Sequence, residues 1–287
     1  MERRTLLGQA AALPAAALSG YFGAGSPAAG AVRSRLVVRQ AADQTVTIER
    51  GAMLAAGLAR VEISSLFTGA DPETFRLHGM TLEEMAVLIA AAGNWQTDAP
   101  AAAAAMRRFT DDTTFYGGLS LPGEIWYRTV FEPGCYEINV AQVNNPVATA
   151  RQFRVEGDTS DAQLPPTNQL IRIVSANEFA VSGPNGHLHA GPLTVTNESD
   201  ELGFVRLVQV KPGITNDDVS AWFAGTAPDP TLIGGQSLGI GTQSPGRSLV
   251  VDLRLEPGDF MALDFIPSNI TGVPHAFTGK HAVVTVG

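Results

Sequence analysis

The sequence predicts an all-β protein built as two tandem β-sandwiches, each with a short helical insertion. Three observations carry this reading. Short alternating apolar runs are punctuated by Gly, Pro and Asn, with 30 glycines and 18 prolines in 287 residues, a spacing that suits sandwiches rather than bundles. An ordered set of turn and strand marks occurs twice along the chain, the signature of an internal duplication. Hydrophobic residues make up 45% and charged residues 16%, enough apolar surface to fill packed cores.

The first element is an address. Arg3 and Arg4 form a twin-arginine pair, and an uncharged Ala- and Leu-rich run follows over 6–18. That run is shorter than the roughly 20 apolar residues of a membrane span. Ala29-Gly30-Ala31 supplies the small residues at −3 and −1 that a signal peptidase needs. Residues 1–31 therefore read as an export signal cleaved after Ala31. The pair resembles a Tat signal, which exports folded proteins. A Sec signal carrying two arginines is the alternative, since Leu6-Leu7 stand where Tat signals often carry Phe-Leu. The expected location is extracytoplasmic: secreted, periplasmic or held at the cell wall.

The first repeat, 32–157, carries Thr81 followed by Glu84, a capping box that predicts a helix over 82–92 with Met85, Leu88 and Ile89 on its apolar face. Asp98 and Pro100 predict a second helix running to Arg108. Its run of alanines offers little grip, so it reads as a surface helix without a partner. A strand over 125–131, the pair Pro133-Gly134, and strands over 135–140 and 150–155 follow. The second repeat, 169–287, has Thr215 with Asp218 before a helix over 216–224. It continues with a strand over 249–255, the pair Pro257-Gly258, and strands over 259–265 and 282–286. Each Pro-Gly pair suits the centre of a type II turn. Between the repeats, 158–168 is polar, holds Pro165-Pro166 and lacks periodicity, which reads as a linker.

Composition excludes several classes. A net charge of −9 leaves no overall basic footprint for nucleic acid or anionic lipid. The single cysteine, Cys135, excludes an internal disulfide framework and a multi-thiolate zinc site. No stretch beyond the signal is long and apolar enough to span a membrane.

The stretch Leu255-Glu256-Pro257-Gly258-Asp259-Phe260, running on through Asp264 to Gly272-Val273-Pro274-His275 and Lys280, resembles the cupredoxin (plastocyanin-like) family. The resemblance covers the second repeat and, more weakly, the first. It implies Greek-key sandwiches. In that family a cysteine ends the strand after the turn, a histidine and a methionine follow, and another histidine lies upstream; thiolate and imidazoles hold type 1 copper in a plane with a weak axial thioether. Here His275 stands at the histidine, Asp264 where the cysteine belongs and Lys280 where the methionine belongs; the upstream region, Leu202-Gly203-Phe204-Val205, has no histidine. The implied type 1 copper site is missing most of its ligands.

The candidate metal residues are His275, Asp264 and His281 as an altered N/O site for copper or zinc. His187 and His189 are a second set, two residues apart and so on one face if they lie on a strand. Packing and a solvated hairpin edge are the competing readings. Cys135 reads as a small, partly buried residue. His78 is the histidine of the first repeat, on the loop before its helix. Trp126 and Trp222 read as core, and Trp95 as an exposed contact. No Gly-x-Ser-x-Gly elbow or phosphate-binding glycine loop is present. No catalytic residue and no cofactor are assigned. The expectation is an exported, non-enzymatic binding or interaction protein, with an unknown protein or polysaccharide partner and no nucleic acid. The alternative is copper handling or electron transfer through the altered His/Asp set.

Overall fold

The computed structural model describes residues 34–287 apart from 44, 66–71, 121–122, 141–145 and 159–161. The expected export signal, with Arg3, Arg4, Ala29 and Ala31, lies outside the described residues.

The first half contains β1 (Ser34–Gln40), β2 (Val46–Arg50), β3 (Met53–Ala55), β4 (Gly57–Ser65), β5 (Glu73–Leu77), α1 (Leu82–Gly93), α2 (Ala99–Asp112), β6 (Thr113–Gly117), β7 (Leu119–Ser120), β8 (Gly123–Phe131), β9 (Gly134–Asn139), α3 (Pro146–Thr149) and β10 (Arg151–Glu156). The second half contains β11 (Leu170–Ser175), β12 (Glu178–Ser182), β13 (Gly191–Asn197), β14 (Gly203–Gln209), α4 (Asn216–Phe223), β15 (Ser237–Gln243), β16 (Ser248–Leu253), β17 (Gly258–Leu263) and β18 (His281–Val286).

The pairings repeat. Parallel β1–β4 matches parallel β11–β13. Antiparallel β4–β8, β5–β9 and β9–β10 match β13–β16, β14–β17 and β17–β18. This is the all-β, two-sandwich fold that the sequence predicts. The halves are also joined edge to edge. β16 pairs with β8 through Val250↔Arg128 and Val251↔Tyr127, and β15 pairs with β6 and β7. The result is one eight-stranded and one ten-stranded sheet, each running through both halves.

Strand alternation makes the core. Along β1 the even residues Leu36 and Val38 are buried while Arg35 and Arg39 are exposed, as period-two side chains require. One apolar cluster spans both halves, from Leu36, Val61 and Phe131 to Val195, Leu249 and Phe260; each such side chain contributes about 1.5–3 kcal/mol on burial. In the first half Tyr136 lies 4.9 Å from Phe131 and 5.3 Å from Phe153, ring centre to centre. Its hydroxyl donates to the Glu132 carbonyl at 2.7 Å, so the buried polar tip is satisfied.

Both capping boxes form, Thr81 with Glu84 and Thr215 with Asp218. Two sequence expectations are corrected. Helix α2 is not an unpartnered surface helix: Ala102, Ala103, Ala105, Met106 and Phe109 are buried. It packs on α1 and on the loop of the second half, where Arg107 donates to the Asn269 carbonyl at 2.6 Å. Small alanine side chains let that loop come close; a Cβ on Gly272 would stand 1.8 Å from the Ala99 carbonyl oxygen. The Pro133-Gly134 and Pro257-Gly258 pairs are not type II turns. Gly134 and Gly258 open β9 and β17 at φ +159° and +155°. Both angles lie at the edge of the region that L side chains rarely adopt, and a Cβ would in addition meet the flexible ends of Arg76 at 2.8 Å or Gln209 at 2.9 Å.

Candidate functional site

Strand β17 lies between β14 and β18 and delivers the next residue, Asp264, into the interior at 0% exposure. Its carboxylate accepts from the backbone N–H of Ile266 at 2.9 Å and of Phe204 at 3.3 Å. The chain then loops out and returns as a 3₁₀ turn, His275–Thr278. That turn is fastened to the end of β17 by Ala276 N–H donating to the Asp264 carbonyl at 2.7 Å and His275 N–H to the Ile266 carbonyl at 3.1 Å. Gly279, at φ +112°, closes the turn in the left-handed region that favours glycine. It sends Lys280 back inward just before β18.

The outcome is a buried ion cluster. His275 Nδ1 lies 3.2 Å from Asp264 Oδ2, and Nε2 lies 3.3 Å from Glu201 Oε2. Lys280 Nζ lies 2.9 Å from Asp264 Oδ2. It approaches off the direction of a well-aligned hydrogen bond, with the Phe179 ring 5.6 Å away. Asp264, His275 and Lys280 are 0% exposed and Glu201 is 3% exposed. Glu201 also accepts from Asn269 N–H at 2.7 Å and Ser268 Oγ at 3.3 Å. Its backbone carbonyl is held by Asn197 Nδ2 at 2.9 Å. Burial pushes the Asp264 carboxyl up, but Lys280 and His275 outweigh it and hold Asp264 below the ordinary carboxylate range.

Type 1 copper does not fit this donor set. It requires a thiolate and two imidazoles; here there is one imidazole, placed between two carboxylates, and a lysine nitrogen on the shared carboxylate oxygen. Among the described residues, no group of three or more His, Cys, Asp or Glu is arranged to hold a metal ion.

The other candidates are dispersed. His281 does not join Asp264 and His275: it faces α4, with Nε2 2.9 Å from Ser220 Oγ, and burial lowers its pKa below the ordinary histidine value. His187 and His189 are not on a strand but in the loop after a 3₁₀ turn. His187 is exposed, and His189 places Nδ1 3.0 Å from the Gly287 carbonyl and Nε2 3.2 Å from the Pro184 carbonyl. Cys135 is exposed rather than partly buried. Trp126 is not core but sits on the outer face of the eight-stranded sheet, flanked by Arg60 and Arg128. Trp95 packs across the halves on Phe277, ring centres 4.9 Å apart. Trp222 packs half-buried against the small cluster of Val219, Met261 and Leu263.

Glu201 is the residue that sequence reasoning missed. It stands in Asn197-Glu198-Ser199-Asp200-Glu201-Leu202, where three acids look alike. It directly precedes Leu202-Gly203-Phe204-Val205, the stretch in which the resemblance implies a histidine. Only its contacts distinguish it, since Glu198 pairs outward with Arg172.

No family model and no curated protein sequence matches the chain. Solved structures do. An auracyanin from the photosynthetic bacterium Roseiflexus castenholzii is 16% identical over 41% of this chain and 94% of its own, with TM-score 0.24. A multicopper oxidase is 15% identical over 89% of each chain, with TM-score 0.21. A copper nitrite reductase from Nitrosomonas europaea is 12% identical over 89% of this chain and 94% of its own, with TM-score 0.22. At these identities and TM-scores the likeness assigns this chain neither activity nor ligand, and its all-β architecture rests on its own strand pairings. The expectation of a non-enzymatic protein is corrected: two of the three similar structures are enzymes, an oxidase and a reductase, so the exclusion of catalysis is withdrawn.

Proposed function

We propose that this chain is an exported binding protein in which the metal position of a cupredoxin-like sandwich has become an internal ion cluster. The observation that carries the reading is Lys280, fully buried, with its nitrogen 2.9 Å from the aspartate that stands at the cysteine position. A cation supplied by the chain neutralises the buried carboxylate there, so the interior is closed and ligand contact falls to the surface. Export rests on the twin-arginine segment and the Ala29-Gly30-Ala31 site. No helix among the described residues is long and apolar enough to cross a membrane.

The test is elemental analysis of the chain, purified without chelator or histidine tag and then challenged with copper and zinc. The expected outcome is substoichiometric metal and an unchanged melting temperature. Stoichiometric copper lost in His275→Ala would overturn the reading and bring copper handling forward.

A further inference from the structure

The outer face of the eight-stranded sheet carries an arginine ladder. Arg35 on β1 is the register partner of Arg60 on β4, and Arg60 is the partner of Arg128 on β8. Neighbouring strands lie about 4.8 Å apart, so three guanidinium side chains stand in one row on one face. Arg50, from β2, closes the same groove, whose volume is about 740 Å³. Its lining contains four arginines and one carboxylate, Glu62, in a chain of net charge −9.

Like charges directly opposite one another on a sheet are destabilising, and the groove's own anion offsets only part of the row. Glu62 serves Arg35, which donates to it through both Nε and Nη2, and also lies 2.7 Å from Arg60 Nε. Among the described residues, no carboxylate stands within ion-pairing distance of Arg128 or Arg50. Arg128 Nε is buried without a hydrogen-bond partner. Arg128 and Arg60 are held over Trp126, at 5.1 and 4.4 Å from its ring, so the guanidiniums are positioned before any ligand arrives.

We propose that this groove binds a small ligand carrying two or more closely spaced oxyanion groups, phosphate or carboxylate. This rests on the reading of the chain as a binding protein and names its ligand class. Guanidinium forks match both oxyanions through paired N–H donors. The ladder is short: beyond Arg128 the next strand presents Val250, so the charged row spans three strands, about 10 Å. That length suits a compact multianion rather than a long polymer.

The test is calorimetric titration of the purified chain at low salt with pyrophosphate, with citrate and with polygalacturonate. Binding of pyrophosphate or citrate is expected, weakened about tenfold or more in Arg128→Gln, the loss of roughly one charge-assisted hydrogen bond. Arg254→Gln, just past the end of β16 and paired with Asp252, should bind like the parent. Arg50→Gln, on an exposed residue, repeats the test if Arg128→Gln does not fold. Pyrophosphate binding above citrate assigns phosphate, and the reverse assigns carboxylate. No binding of either small anion, binding of the polymer alone, or equal weakening by Arg254→Gln would each overturn the proposal. Metal content is read on the same preparation: bound copper sinks the binding-protein reading without touching the anion titration, and a silent titration leaves that reading standing.

Discussion

The two halves of the molecule treat one position in opposite ways. Six residues after the glycine that opens β9 comes Val140; six residues after the glycine that opens β17 comes Asp264. Both are 0% exposed. The residue just before the following strand is Ala150 in the first half and Lys280 in the second, and both are buried. One half closes this end with apolar atoms, the other with a cluster of opposite charges. The difference teaches that the fold does not itself demand charge, metal or thiolate here. A buried ion pair is weak support for stability compared with well-packed apolar side chains, yet breaking it is expensive. The charged version therefore commits the second half to all of its members together.

The largest effect that would break this contrast is Lys280→Met, which leaves Asp264 without its cation. We expect a loss of about 3–5 kcal/mol in urea unfolding. Adding Asp264→Val to it should recover part of that loss, and simple additivity of the two changes would show that they are not coupled. The converse change, Val140→Asp, places an unpaired carboxyl in the apolar version and should cost about 3 kcal/mol or more. A near-neutral result there would mean that the first half can supply a cation too. Smaller effects are expected from the two capping boxes. Thr81→Ala and Thr215→Ala should each lose about 1 kcal/mol, read as a shift in melting temperature; a much larger loss at Thr81 would show that α1 also carries the packing of α2.

The smallest effect concerns acid. Burial, first among several causes, lowers the pKa of His281 in the second half and of His78 in the first. Below the ordinary histidine value near 6.5 the unfolded chain takes up protons that these folded side chains refuse. Their contribution is therefore present above that value and is lost as pH falls toward the folded pKa. Melting temperature should drop between neutral pH and pH about 5, and His281→Gln should flatten part of the drop. Asp264 behaves differently: its lowered pKa preserves its contribution until pH falls below the ordinary carboxylate range.

Much of the architecture was legible in the sequence because it is local. Capping boxes, alternating runs and Pro-Gly pairs are written within a few residues, and the two helices and the paired strands lie where those signals put them. The pair Asp264 and His275 was also legible, through the resemblance. What escaped is non-local. Glu201 reaches His275 across 74 positions of sequence, and nothing around it separates it from its acidic neighbours. Trp126 alternates like a core residue, but its parity puts it on the outer face with Arg128, not on the inner face with Tyr127. The alanines of α2 look gripless because their partners, α1 and a loop of the other half, cannot be seen from the helix. The arginine ladder needs the register of three strands, and each arginine alone reads as ordinary strand surface.

The sheets that run through both halves change how exposed the backbone is. Two separate sandwiches would leave the outer backbone groups of β8 and β16 free, an invitation to pair with other chains. Here those strands occupy each other, and among the described residues the strand order ends at β12 and β2 in one sheet and at β18 and β3 in the other, with β7 branching off β15. Joining the halves thus removes two strand edges at which another chain could pair.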